Sequence, residues 1–214
     1  MDKIAPVRYN VQLNFHKNDG AIVQTINSYL ATTLKALRNQ KGWSLDKAAQ
    51  ETGVSKAMIG QIERGESSPT IATLWKIASG FNISLSTFLE PTPQSQGAVF
   101  RKPDELRQQP ATDGMLVASL FPFEDRFGFE MFELTLLPHY ERLSEPHETG
   151  VTEHVIVLSG TMEVLVDGQW QTLKQGEAVR FAADKPHGYR NLNDQAVVFH
   201  DLIHYLPRLH SPTH

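Results

Sequence analysis

The sequence predicts a multidomain chain, an all-α five-helix domain followed by an all-β barrel. Three observations predict it. Apolar residues recur every three to four positions through residues 26–90, the period of a helix face. The polar, proline-containing stretch Pro91-Thr92-Pro93-Gln94-Ser95-Gln96-Gly97 then breaks the pattern as a linker does. Beyond it the period falls to two, in short runs separated by glycine turns. The expected division is an N-terminal extension over 1–25, a helical domain over 26–90, a linker over 91–97 and a barrel domain over 98–208.

Each element has a local reason. Val11 to Phe15 alternates like a strand but stands alone, so residues 1–25 are read as an extension or arm. Ile26, Leu30, Leu34 and Leu37 mark one face of a first helix, which Gly42 closes. Ser44 is placed to cap a second helix that ends at Gly53, and Ser55 a third that turns Ile59 and Ile62 inward and ends at Gly65. Ser67-Ser68-Pro69 is a turn. Thr70 opens a fourth helix carrying Leu74, Ile77 and Ala78, and Ser84 a short fifth through Phe88. Strands are expected at 129–137, 155–158, 162–166, 178–181 and 197–203, with Asp167-Gly168 as a hairpin turn.

Bulk properties narrow the function. The chain has 214 residues, 40% of them hydrophobic, enough to build real cores. It has no cysteine, which excludes disulfides, thiolate metal sites and cysteine nucleophiles and makes a cytoplasmic location the simplest reading. No apolar run approaches about 18 residues, and the first residues lack a signal-peptide core, so no membrane is expected. The net charge of −4 hides an asymmetry. Residues 1–90 carry ten Lys and Arg against seven Asp and Glu, whereas residues 91–214 carry ten against seventeen. Only the first part favours phosphates, and mildly, so a homodimer is expected to supply the rest of the affinity. Eight of the nine histidines follow residue 91, which concentrates polar site chemistry there.

The run Gly53-Val54-Ser55-Lys56-Ala57-Met58-Ile59-Gly60-Gln61-Ile62-Glu63-Arg64-Gly65 follows a helix containing Ala48-Ala49. Small residues let two helices pack closely, and a glycine turn sets their angle, so that the second can lie in a DNA major groove. With Leu37-Arg38, Ser68-Pro69-Thr70 and Leu74-Ile77-Ala78, the segment from about 28 to 89 resembles the XRE family of helix-turn-helix domains, related to phage repressors such as that of lambda. Leu45 stands where that family usually has Gln. The resemblance places Ser44, Ser55, Lys56, Ala57, Met58, Gly60, Gln61 and Arg64 at the DNA. Gln61 can pair bidentately with adenine, Ala57 or Met58 can meet thymine methyls, and Lys56 suits phosphate. It also implies a structural ion pair between Arg38 and Glu63 beneath the recognition helix.

In the second domain, His147, Glu153 and Gly160 fit one cupin motif, and Gly176, His187 and Asn191 fit the other. Residues 98–206 thus resemble a cupin, a double-stranded β-helix barrel. Thr149 replaces the second histidine of the first motif, and Ala182 and Asp184 stand where Pro and Gly are usual. The remaining set, His147, Glu153 and His187, can hold a divalent ion, zinc foremost, at an open barrel mouth. It can equally meet an organic effector directly, or satisfy itself by hydrogen bonds. Tyr189, Arg142 and His200 are expected to line the same effector pocket, with Glu148 and Arg190 at its rim. Mixed signs there suit a small zwitterion such as an amino acid. Tandem XRE and cupin domains resemble regulators of amino-acid, polyamine and sulfur metabolism, and the runs Thr32 to Lys35 and Ser55 to Arg64 are similar to enterobacterial regulators of sulfur utilisation. The expected function is a sequence-specific DNA-binding transcriptional regulator gated by a small effector. The alternative is a cupin metalloenzyme, a dioxygenase or isomerase, fused to a DNA-binding domain.

Overall fold

The computed structural model describes residues 19–91, 98–107 and 113–206, with side chains from residue 28 onward. Most of the 1–25 extension and the linker core therefore lie outside the described residues. The first helix, α1 (Asp19–Gln40), reaches back ahead of Ile26. It is followed by α2 (Leu45–Thr52), α3 (Lys56–Glu63), α4 (Ile71–Phe81) and α5 (Ser86–Leu89). The caps read from sequence have the geometry a cap requires. The side chains of Ser44, Ser55 and Thr70 accept from the backbone N–H groups of Lys47, Met58 and Thr73. Gly80 marks a close approach of α4 to α2, because a Cβ there would lie 2.5 Å from the Glu51 carbonyl oxygen.

After a single turn, α6 (Pro103–Leu106), come nine strands. They are β1 (Met115–Glu124), β2 (Phe129–Leu136), β3 (Glu141–Ser144), β4 (Thr152–Ser159), β5 (Thr161–Val166), β6 (Gln169–Lys174), β7 (Ala178–Ala182), β8 (His187–Arg190) and β9 (Val197–His204). They form two sheets, in the orders β1-β2-β9-β4-β7 and β3-β8-β5-β6, with antiparallel pairings. Asp167 and Gly168, both at positive φ, make the β5–β6 hairpin turn. Alternation along β4 and β9 turns Glu153, Val155 and Val157, and Phe199, Asp201 and Ile203, into the space between the sheets.

The helical domain and the barrel share one apolar cluster, which runs from Leu34, Ile59 and Phe81 to Met115, Phe132 and Phe199. Two barrel carboxylates fix the join. Asp113 Oδ2 accepts the first N–H of α4, from Ile71, at 2.8 Å. Glu130, wholly buried, accepts the N–H groups of Leu85 at 3.2 Å and Ser86 at 2.9 Å, and the Tyr205 hydroxyl at 2.5 Å. Helix starts leave such N–H groups without intrahelical partners, so the barrel completes what the helices lack. Burial pushes the Glu130 carboxyl up from its ordinary value, against the pull of these hydrogen bonds. Glu130→Ala strands two backbone donors and a hydroxyl in the interior. It is expected to lower the unfolding free energy by about 2–4 kcal/mol in urea denaturation, and Glu130→Gln by less, because the amide oxygen still accepts. Equal losses from both would show that the hydrogen bonds are not what the carboxylate supplies.

Candidate functional site

Two sites follow from this frame, one on α3 and one between the sheets. On α3, Lys56, Ala57, Gln61 and Arg64 are exposed on one side, with Ser44 and Ser55 exposed at the adjoining caps. Lys56 pairs with Asp46 at 2.8 Å, and Arg64 meets both oxygens of Glu66. Both pairs are solvent-facing and therefore weak, so either cation can exchange its partner for a phosphate. Met58 and Gly60 do not join this face. Met58 is half-buried against the core, its sulfur 3.6 Å from the Ser67 hydroxyl. Gly60 is buried beneath the Arg64 and Leu45 side chains, which a Cβ there would meet at 3.1 and 3.8 Å. Of the residues expected at the groove, these two are therefore the least exposed, Met58 because it lies beside the inward Ile59 and Ile62 face and Gly60 because neighbouring side chains cover it. Beneath α3, Arg38 grips Glu63 with two bonds, 2.6 and 2.8 Å, and donates to the Trp43 carbonyl at 2.8 Å.

The second site centres on Glu153. His147 comes from the loop after β3, Glu153 from β4 and His187 from β8. One donor atom from each lies within 4.8 Å of the others. His147 Nε2 is 2.7 Å and His187 Nε2 3.3 Å from Glu153 Oε1, and the Tyr189 hydroxyl donates to Oε2. Burial alone would raise the Glu153 carboxyl, but the two imidazoles beside it hold it well below the carboxylate range. His187 shows the same contest: burial lowers it, while Glu153 and the Lys185 carbonyl raise it further. Burial, with the charges of Glu153 and Glu130 added, pushes the neighbouring Asp201 far up.

The residues present suit a divalent ion. His187 Nδ1 lies 2.8 Å from the Lys185 carbonyl, which can only accept, so Nδ1 carries the proton and the lone pair of the neutral ring is on Nε2. That Nε2 is buried without a hydrogen-bond partner, an orphan turned toward Glu153. Thr149 is exposed and adds no ligand.

The mouth is not open, as the cupin resemblance led one to expect. Trp75 of α4 covers it, its ring 5.0 Å from that of His147 and 6.2 Å from Phe132. Arg142 is buried beneath, its guanidinium carbon 5.7 Å from the Trp75 ring centre. Tyr189 is buried behind Glu153, so it orients the carboxylate and is not pocket surface. His200 faces away. It lies on the other side of β9 from Asp201, 3.8 Å from Glu133 Oε2, and burial lowers its pKa. Arg190 pairs with Glu163 and stacks on Trp170, outside the rim. Sequence reasoning missed Trp75, Asp113, Glu130 and Asp201.

Comparisons with known proteins agree with this architecture. A helix-turn-helix family model matches residues 34–88, and a cupin domain model matches residues 132–203. The chain is 50% identical over 183 residues to the HTH-type transcriptional regulator SutR of Escherichia coli, covering 86% of this chain and 98% of that protein. It is 27% identical to the E. coli HTH-type transcriptional regulator PuuR, over 74% of this chain and 85% of that one. A crystal structure of an HTH_3 family transcriptional regulator from Vibrio cholerae superimposes with a TM-score of 0.74 at 47% identity, covering 86% of this chain and 99% of that one. Because Arg38 and Glu63 are nearly buried, Arg38→Ala is expected to destabilise the helical domain by about 3 kcal/mol in urea, leaving Glu63 unpaired under α3. Arg38→Lys should recover only part of this, since one ammonium cannot make the two-pronged contact. Full recovery would mean that charge alone suffices.

Proposed function

The chain belongs to the HTH-type transcriptional regulators that join a helix-turn-helix domain to a cupin domain, and we propose that its cupin site binds a small effector that gates operator binding. It is a DNA-binding transcriptional regulator and not an enzyme, so the alternative of a cupin metalloenzyme gives way. No described helix is long and apolar enough to cross a membrane. The observation that carries the gating reading is the position of the His147, Glu153 and His187 set, directly under Trp75 of the DNA-binding domain.

In this reading Lys56, Ala57, Gln61 and Arg64 meet DNA, with Ser44 and Ser55 at the flanking phosphates. Gln61 reads a base edge, and Lys56 and Arg64 position the helix on the backbone. The protein acts in the cytoplasm as a homodimer on a pseudo-palindrome with half-sites about 34 Å apart, because one mildly basic domain neutralises few phosphates. The effector is a small zwitterion such as an amino acid, in keeping with regulators of amino-acid or sulfur metabolism. His147, Glu153 and His187 would hold a divalent ion, zinc foremost. When bound, the ion offers open positions to an effector oxygen or nitrogen.

Gln61→Ala is expected to relax sequence preference at one operator position, at a cost of about 1–3 kcal/mol, whereas Lys56→Ala weakens all sequences alike and reduces the salt slope by about 1. Operator selection and salt-dependent binding curves separate the two, and full discrimination by Gln61→Ala removes that residue from base reading. His187→Ala is expected to abolish stoichiometric metal in elemental analysis while circular dichroism stays native. Metal uptake by the parent should weaken as pH falls, beginning above the ordinary imidazole range of about 6–7 because Glu153 and the Lys185 carbonyl raise His187. Metal-free parent protein would assign these three residues to direct contact with the organic ligand.

A further inference from the structure

Between α4 and β3 lies a cleft of about 370 Å³, within the range of small-molecule sites. One wall belongs to the DNA-binding domain and includes Ala72, Trp75 and Lys76. The other belongs to the barrel and includes Arg142, Ser144 and His147.

Arg142 is the unexplained group in it. Only 6% of the residue is exposed, yet among the described residues its one hydrogen-bond partner is the Met115 sulfur, 3.2 Å from Nη1, and its Nε has none. The nearby carboxylates are engaged elsewhere. Asp113 holds Ile71, Met115 and Tyr140, and Glu153 holds His147 and Tyr189. Neither ion-pairs with Arg142, and no other described carboxylate does. A guanidinium keeps its charge at any ordinary pH, and a buried charge without a hydrogen-bonded counter-ion is costly. An oxyanion entering from the cleft removes that cost, and a planar carboxylate matches the guanidinium fork.

We propose that this cleft binds a small oxyanion, a carboxylate or sulfonate, with Arg142 as its counter-ion and Trp75 as its wall. The proposal rests on the reading of the chain as an effector-gated regulator, and it names the effector's anchoring chemistry. Glu51, which pairs with Lys47, lines the cleft with Glu145 and Lys76, and this mixed rim suits a ligand that also carries an ammonium group. Since α4 packs on α2 through Gly80, and α2 packs in turn on α3, a ligand in the cleft presses on the support of the DNA-binding face.

The test uses the full chain with Trp43→Phe and Trp170→Phe, so that only Trp75 emits. The probes are short carboxylates, sulfonates and small α-amino acids, each beside its uncharged amide. A saturable change in Trp75 emission is expected for an oxyanion, and binding about tenfold weaker for its amide. Arg142→Gln should weaken binding by at least about tenfold, Arg142→Lys by less. The amide comparison needs no change at Arg142, so it stands even where Arg142→Gln fails to fold. His200→Ala, which alters a side chain on the far face of β9, should leave the emission change in place. Silence of Trp75 toward every probe, or binding by folded Arg142→Gln equal to the parent, overturns the proposal. A response that needs His187 and ignores Arg142 overturns it too, while leaving the effector role of the His147, Glu153 and His187 set intact.

Discussion

The N–H groups that open α4 and α5 need acceptors, and the barrel supplies them. Asp113, just ahead of β1, and Glu130 of β2 cap helices of the other domain. A capping carboxylate is demanding about geometry, because the acceptor must sit at hydrogen-bond distance on the helix axis. Burial makes it stricter, since a lost partner is not replaced by water. These two contacts therefore hold α4 and α5 in one place against the barrel, and the rest of the arrangement depends on that place.

With α4 fixed, Trp75 closes the barrel end over His147 and Arg142. The cupin site is then a compartment with a wall borrowed from the DNA-binding domain. A ligand there changes that domain only if it binds one docking geometry better than another. The route is short, from the cleft through α4 to α2 and α3, and it does not require force to pass along the linker. On the DNA side, the Arg38–Glu63 grip keeps α3 aligned with α1, so that a shift of the helical domain moves α3 as part of a body.

How much of this was legible in the sequence depended on whether the signal was local. The caps Ser44, Ser55 and Thr70 and the glycine turns declare themselves within a few residues, and they fixed the helices closely. The metal-ligand spacing of His147, Glu153 and His187 is likewise a pattern along the chain, and the structure brings those three side chains together. Strand β1 escaped notice because Met115 to Leu120 is buried on both faces, so it shows no alternation. His200 was misplaced although the signal was present. Val197, Phe199 and Ile203 share a parity that leaves His200 on the opposite face. Trp75, Asp113 and Glu130 left no pattern at all. A single acid in a strand reads as a solvated residue until the other domain is docked on it.

The central claim is that the helical domain and the barrel form one cooperative body, joined through buried carboxylates and a continuous core. Thermal unfolding of the full chain tests it directly, followed in parallel by helical circular dichroism and by fluorescence of Trp170, which reports the barrel after Trp43→Phe and Trp75→Phe substitution. The account predicts coincident transitions with one midpoint. Two separated transitions, with helix lost while Trp170 still reports a native barrel, would contradict it.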